Sequence, residues 1–138
     1  MRLEITRRAD LAVRAMALLA EGGQLKAADL ARGLEATPAF VPQVVGPLVK
    51  AGWVRSDPGP AGGYLLVVPP EGVSVLDVVE AVDGPTDTGR CVVADAPCGR
   101  ERVCALHGAW IRAREELTAS LRAVSVRDVR ALALPVER

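Results

Sequence analysis

The chain has 138 residues, a hydrophobic fraction of 50%, and 17 basic against 17 acidic side chains. That much apolar surface is enough for one core and excludes intrinsic disorder, while zero net charge excludes a protein that coats nucleic acid through bulk electrostatics. Aromatic residues make up 3%, too few for a platform on which single strands stack.

The longest apolar runs, such as Ala15 to Ala20, fall far short of the roughly 20 residues that a membrane-spanning helix requires. Met1 to Arg8 is charged, and Leu11 to Ala20 reads as an amphipathic helix rather than the apolar core of a signal peptide. The cytoplasm is therefore the expected compartment, and no membrane partner is expected. Charge is divided unevenly, with eight basic and six acidic side chains in residues 1–70 and nine and eleven in residues 71–138. A polyanion would accordingly meet the first half.

In chain order, Arg7 to Glu21 places Leu11, Ala15, Leu18 and Leu19 at helical spacing and is stopped by Gly22-Gly23. Lys26 to Leu34 is a second, short helix, followed by a turn over Gly33-Leu34-Glu35-Ala36. Thr37 as N-cap and Pro38 at the first helical position start a third helix that ends at Ala51-Gly52. Pro42 lies near its start, but Pro47 is interior and is expected to bend or loosen the C-terminal half. Short helix, tight turn, helix is the helix-turn-helix pattern, with residues 38–51 in the recognition position.

Trp53 to Ser56 and Tyr64 to Val68 flank a loop rich in glycine and proline, which predicts a hairpin placed as a wing. Ser74 caps a fourth helix over Val75 to Val82, ended by Gly84-Pro85. After Cys104 a long helix runs to about Val124. Its Leu106, Trp110, Ala113, Leu117, Leu121 and Val124 recur at alternate spacings of four and three, the seam of a coiled-coil-like contact, and with no later helix of comparable length this favours a homodimer. Ser125 starts a last short helix, Val126 to Leu132.

All three cysteines and the only histidine fall within residues 91–107. The spacing Cys91-x6-Cys98-x5-Cys104-x2-His107 is too wide for the paired ligands of a zinc knuckle, and an odd cysteine count argues against a disulfide framework. Proline, glycine, aspartate and arginine surround these thiols, unlike the apolar neighbours of packed cysteines. Arg90, Arg100 and Arg102 would favour the thiolate. The chemistry favours an iron-sulfur cluster over zinc, and either over a bare thiol switch. His107 serves equally as a ligand or as a donor to a backbone carbonyl. An enzyme is not expected, because no nucleophile and base are paired and no phosphate-binding glycine motif occurs.

Several segments together resemble the Rrf2 family of bacterial transcriptional regulators. They are Met1-Arg-Leu3, Asp10-Leu-Ala-Val-Arg14, Leu48-Val-Lys-Ala-Gly52-Trp-Val54, Gly62-Gly-Tyr-Leu-Leu66, Val75-Leu-Asp-Val-Val-Glu-Ala-Val82 and the cysteines in this order. The resemblance implies a winged-helix homodimer that binds palindromic promoter DNA and holds a cluster near the dimer interface. It implies Cys91, Cys98 and Cys104 as cluster ligands. His107 matches the fourth ligand of a 2Fe-2S type, and Asp10 matches the partner-subunit aspartate of a 4Fe-4S type. The first gap, x6, is one residue longer than in either type. Pro42 stands where one type carries a base-sensing glutamate, and Pro58 replaces an arginine that often precedes the wing glycines.

The expected fold is thus mainly α with a small β-hairpin wing. A winged helix-turn-helix domain spans 1–83, a cysteine-bearing cluster loop 84–104, and a dimerisation helix with a short C-terminal helix 105–138. Base readout is expected from Thr37, Ala39 and Gln43, Gln43 being the long amide suited to adenine, with Phe40 in the core. Arg2, Arg7, Arg8 and Arg55 would neutralise phosphates, Tyr64 touch one or pack the hairpin, and Gly62 and Gly63 act through backbone freedom. The expected function is transcription regulation, with promoter affinity controlled by an iron-sulfur cluster that senses nitric oxide, redox state or iron-sulfur status. The alternatives are a metal-free thiol-disulfide switch and a zinc-stabilised protein-interaction module.

Overall fold

The computed structural model describes residues 4–93, 96–97 and 104–129. Arg2, Cys98, Arg100, Arg102 and everything from Arg130 onward, including the end of the expected Val126 to Leu132 helix, lie outside the described residues. The elements are helices α1 (Arg7–Leu19), α2 (Ala27–Leu34) and α3 (Val41–Lys50), strands β1 (Val54–Asp57) and β2 (Gly63–Leu66), and helices α4 (Val75–Asp83) and α5 (His107–Arg122). The fold is mainly helical with one antiparallel hairpin, in register from Val54 opposite Leu66 to Asp57 opposite Gly63.

Helix α1 starts at Thr6, whose Oγ1 accepts from the Ala9 N–H at 3.0 Å and donates to Asp83 Oδ1 at 2.7 Å. One hydroxyl thus caps α1 and ties it to the end of α4. Arg8 adds a second tie, its guanidinium donating to the Val82 carbonyl at 2.9 Å. The helix stops two residues before Glu21. There the Glu21 and Gly22 N–H groups bond three residues back, to Leu18 and Leu19, and Gly22 and Gly23 take positive φ.

In α2, the Asp29 carboxylate accepts from the Lys26 N–H at 3.0 Å. The turn after α2 passes through the left-handed region at Glu35, φ 52°, while Gly33 belongs to the helix. A Cβ on Gly33 would meet Leu18 Cδ1 at 2.8 Å, so this glycine lets α2 lie close on α1.

The expected single helix from Pro38 to Ala51 is corrected. Pro38–Phe40 forms a 3₁₀ turn, the α-helix begins at Val41, and Thr37 makes no side-chain capping bond. The reason is Pro42, which has no N–H to return to the Pro38 carbonyl; that carbonyl accepts instead from Val41, three residues on. Pro47 does not end the helix, which runs to Lys50, and Ala51 N–H still reaches the Pro47 carbonyl at 3.0 Å. Gly46 precedes Pro47, so no Cβ opposes the proline ring.

The core gathers on α1. Ala9, Ala12, Ala15 and Met16 are fully buried, together with Leu30 of α2, Val41, Val44, Val45 and Leu48 of α3, and Val78 of α4. The hairpin closes one side: the Leu25 and Tyr64 backbones pair, at 3.0 and 2.7 Å, so the stretch before α2 borders β2. A Cβ on Gly63 would meet the Leu25 carbonyl at 2.6 Å, and one on Gly62 would run into the Asp57 carbonyl. Both glycines serve this close backbone approach.

Helix α4 begins with a reciprocal cap, Ser74 Oγ accepting from Asp77 N–H at 3.0 Å and Asp77 accepting from Ser74 N–H at 2.9 Å. After α5 the chain returns to this point. Val75 N–H donates to the Val124 carbonyl and Val126 N–H to the Val73 carbonyl, each at 2.9 Å, and Val126 enters the core. Arg127 pairs with Glu71 at 2.8 Å. Helix α5 itself buries no residue, and Leu106 and Leu117 on its apolar stripe are 46% and 42% exposed.

Leu48→Ala is expected to lower the unfolding free energy by about 2–5 kcal/mol, measured by chemical denaturation, because Leu48 is enclosed and α3 cannot collapse into the gap. A backbone hydrogen bond at Glu71 itself and then the Arg127 guanidinium hold the Glu71 carboxyl below its usual range. A depressed folded pKa gives a contribution that is present above the unfolded value and lost as pH falls through the folded one. Arg127→Ala is expected to raise the Glu71 titration midpoint only part of the way, followed by NMR, since the backbone hydrogen bond remains.

Candidate functional site

Two surfaces carry the residues singled out by sequence. The first is the outer side of the helix-turn-helix. Thr37, Pro38, Ala39, Pro42, Gln43 and Gly46 are exposed along the 3₁₀ turn and α3, while Val41, Val44, Val45 and Leu48 face inward. Gln43 is the one amide on that face, and Phe40 packs against the core. Tyr64 is also packed against the core, in agreement with a hairpin-packing role.

The basic residues of this half are mostly engaged. Arg14 pairs with Asp10 at 3.1 Å, Arg32 with Asp29 at 2.7 Å and Arg55 with Asp57 at 3.1 Å, and Arg8 is committed to the Val82 carbonyl. Arg7, Lys26 and Lys50 are exposed and join no ion pair among the described residues. An open groove of about 260 Å³ lies between the start of α2 and the hairpin, lined by Lys26, Asp57, Gly62 and Tyr64.

The second surface is the cysteine loop. Gly84, φ 87°, turns the chain out of α4, and the Glu80 carboxylate accepts from the Thr86 N–H at 2.6 Å. Asp87 accepts from the Gly89 N–H at 2.9 Å and pairs with Arg114 of α5 at 3.0 Å, so the loop is fastened to both helices. Cys91 N–H donates to the Ala96 carbonyl at 2.8 Å, and Arg90 bridges to Pro97. Cys104 and Cys91 bring their Sγ atoms to 4.0 Å, both half-buried. His107 is the first residue of α5, its backbone N–H donating to the Cys104 carbonyl at 3.1 Å.

Of the expected ligands, Cys91 and Cys104 are brought together, Cys98 lies outside the described residues, and Asp10 is engaged by Arg14 on α1. Among the described residues no group of three or more His, Cys, Asp or Glu converges as a metal site. The spacing of the two described thiols nevertheless suits a thiophilic centre. Two thiolates about 2.3 Å from one tetrahedral metal stand roughly 3.8 Å apart, and the 4.0 Å separation here is close to that. A disulfide would need about 2.04 Å.

Sequence reasoning missed the fastenings Thr6–Asp83, Glu80–Thr86 and Asp87–Arg114, since nothing in their spacing announces contacts made across helices. It also missed Asp57 as a partner of Arg55. That pair was readable, because residues two apart on a strand share a face.

A profile of the Rrf2 family, described as an iron-dependent transcriptional regulator, matches residues 5–131. The HTH-type transcriptional regulator IscR of Xenorhabdus nematophila is 31% identical over 130 residues, covering 92% of this chain and 79% of the relative. Among solved structures, the oxidized form of CymR from Staphylococcus aureus is 25% identical with a TM-score of 0.72, covering 99% of this chain and 100% of the other. CymR of B. subtilis, titled the global cysteine regulator, is 23% identical with a TM-score of 0.77, covering 96% and 100%, and shows the shared fold. The homologues are transcriptional regulators and not enzymes. With the helix-turn-helix, the hairpin behind it and the family match over nearly its whole length, the chain belongs to the Rrf2 family of transcriptional regulators.

Proposed function

We propose that the chain is a DNA-binding transcriptional regulator whose promoter affinity is set at the cysteine loop by an iron-sulfur cluster. The observation that carries this reading is the approach of Cys91 and Cys104 to 4.0 Å where the loop joins α5. Cys98 is the third ligand, and His107 or a partner's Asp10 completes the set, giving a 2Fe-2S or a 4Fe-4S centre. Residues 1–83 form the DNA-binding unit, 84–104 the sensing loop, and 105–138 the dimerisation segment. The exposed Leu106 and Leu117 on α5 support the last assignment.

When bound, the cluster supplies iron–thiolate bonds that nitric oxide, oxidants or iron shortage break. The chain's own residues carry the consequence. Asp87–Arg114 and Glu80–Thr86 fasten the loop to α5 and α4, and Asp83–Thr6 and Arg8–Val82 fasten the end of α4 to α1, against which α3 packs. A loop held by its cysteines keeps this series in one arrangement; a released loop lets the two recognition helices of a dimer change their mutual angle. Half-sites at fixed spacing make affinity sensitive to that angle.

A metal-free thiol switch is the second reading, supported by the same sulfur proximity and by the likeness to CymR in an oxidized form. Family membership favours either over a zinc-stabilised protein-interaction module.

Cys98→Ala is expected to abolish the visible absorption of anaerobically purified protein and to change promoter affinity by about tenfold or more, corresponding to a coupling of 1–3 kcal/mol. Loss of absorption with unchanged affinity would sink the coupling. A colourless, iron-free wild type with a reversible disulfide would establish the thiol switch instead. On the DNA side, Gln43→Ala is expected to relax selection at a single adenine in each half-site, by about 1–3 kcal/mol in a base-substitution series, with little effect elsewhere.

A further inference from the structure

We propose that Asp57 is a built-in brake on DNA affinity, holding Arg55 of the wing away from phosphate. This rests on the DNA-binding reading above. Arg55 and Asp57 are the only charged side chains between Trp53 and Pro70. They alternate with Ser56 along β1 and so share one face of the hairpin. Arg55 Nε lies 3.1 and 3.3 Å from the two carboxylate oxygens of Asp57, and its Nη2 lies 3.2 Å from Oδ2. Gln24 Nε2 donates to the same Oδ2 at 3.2 Å, which holds the carboxylate in place from the segment before α2. The paired side chains remain 58% and 38% exposed, at the surface a winged domain offers to a duplex.

The physical effect is on counterions rather than on folding. An exposed ion pair contributes little to stability. An arginine already neutralised by carboxylate has no DNA counterion to displace without first giving up that partner. The abandoned carboxylate then faces phosphate as a like charge. The pair therefore adds no net cation to the DNA footprint. With Pro58 beside it, the wing contributes backbone shape and no free positive charge, which leaves Arg7, Lys26 and Lys50 as the described cations of residues 4–83 open to phosphate.

Removing the charge while keeping the oxygen that Gln24 uses should free Arg55 for one phosphate. Binding of the full chain, purified anaerobically, to a random-sequence 30-base-pair duplex is measured by fluorescence anisotropy between about 50 and 200 mM salt. Asp57→Asn is expected to bind about 3- to 10-fold more tightly near 0.1 M salt, with the log–log salt slope steeper by about 0.9. Arg55→Ala in the Asp57→Asn background should remove the whole gain and return the slope to its wild-type value. Unchanged affinity and slope in Asp57→Asn would overturn the brake, and so would a gain that survives Arg55→Ala. No duplex binding by wild type or Asp57→Asn would instead dismiss the DNA-binding reading, and the brake with it.

Discussion

The burial of α1 is the constraint on which the other elements depend. Ala9, Ala12, Ala15 and Met16 are fully enclosed, and Leu11, Val13 and Leu19 nearly so, on a helix of only 13 residues. Small side chains on several sides let α3 and α4 approach it, and Gly33 does the same for α2. Interiors packed to crystal-like density transmit displacement instead of absorbing it. The recognition helix is therefore coupled to whatever moves α1, and the strongest directional ties on α1 are at its first turn, where Thr6 and Arg8 meet the last residues of α4.

Most of this fold was legible because its signals are local. Ser74 marked the start of α4, and the glycine-proline run after Asp57 marked the hairpin, each matched by the structure within about two residues. The start of α3 was misjudged for an equally local reason. Thr37-Pro38 reads as a cap, but Pro42 four residues on removes the first α-helical bond, so the turn tightens to 3₁₀ before the α-helix begins. Pro47 lies inside a helix that runs on to Lys50, as the Ala51-Gly52 stop implied, with Gly46 before it and Val44, Val45 and Leu48 buried around it.

The site was less legible, because it is made of contacts between distant parts of the chain. Cysteine spacing located the loop, and the Cys91–Cys104 approach agrees with a shared purpose. Asp87 with Arg114 and Asp83 with Thr6 are polar pairs separated by 27 and 77 positions, and composition carries no trace of them. The two regulatory readings differ in what joins the same two sulfurs. Metal–thiolate bonds hold them near their present distance, whereas a disulfide requires them to close by about 2 Å. The loop would then adopt different shapes in the two chemistries.

The return of the chain to Val73–Val75 gives α5 a fixed end. Two backbone hydrogen bonds and the buried Val126 pin its C-terminal side to the winged half, while its first turn carries His107 beside the cysteines. Sixteen residues of helix span about 24 Å. For a rod anchored at one end, a displacement of about 2 Å at the other end corresponds to a swing of about 5° at this length. In the dimer proposed above, the shift between the two sulfur chemistries is of the size that a lever of this length turns into a change of angle between the subunits.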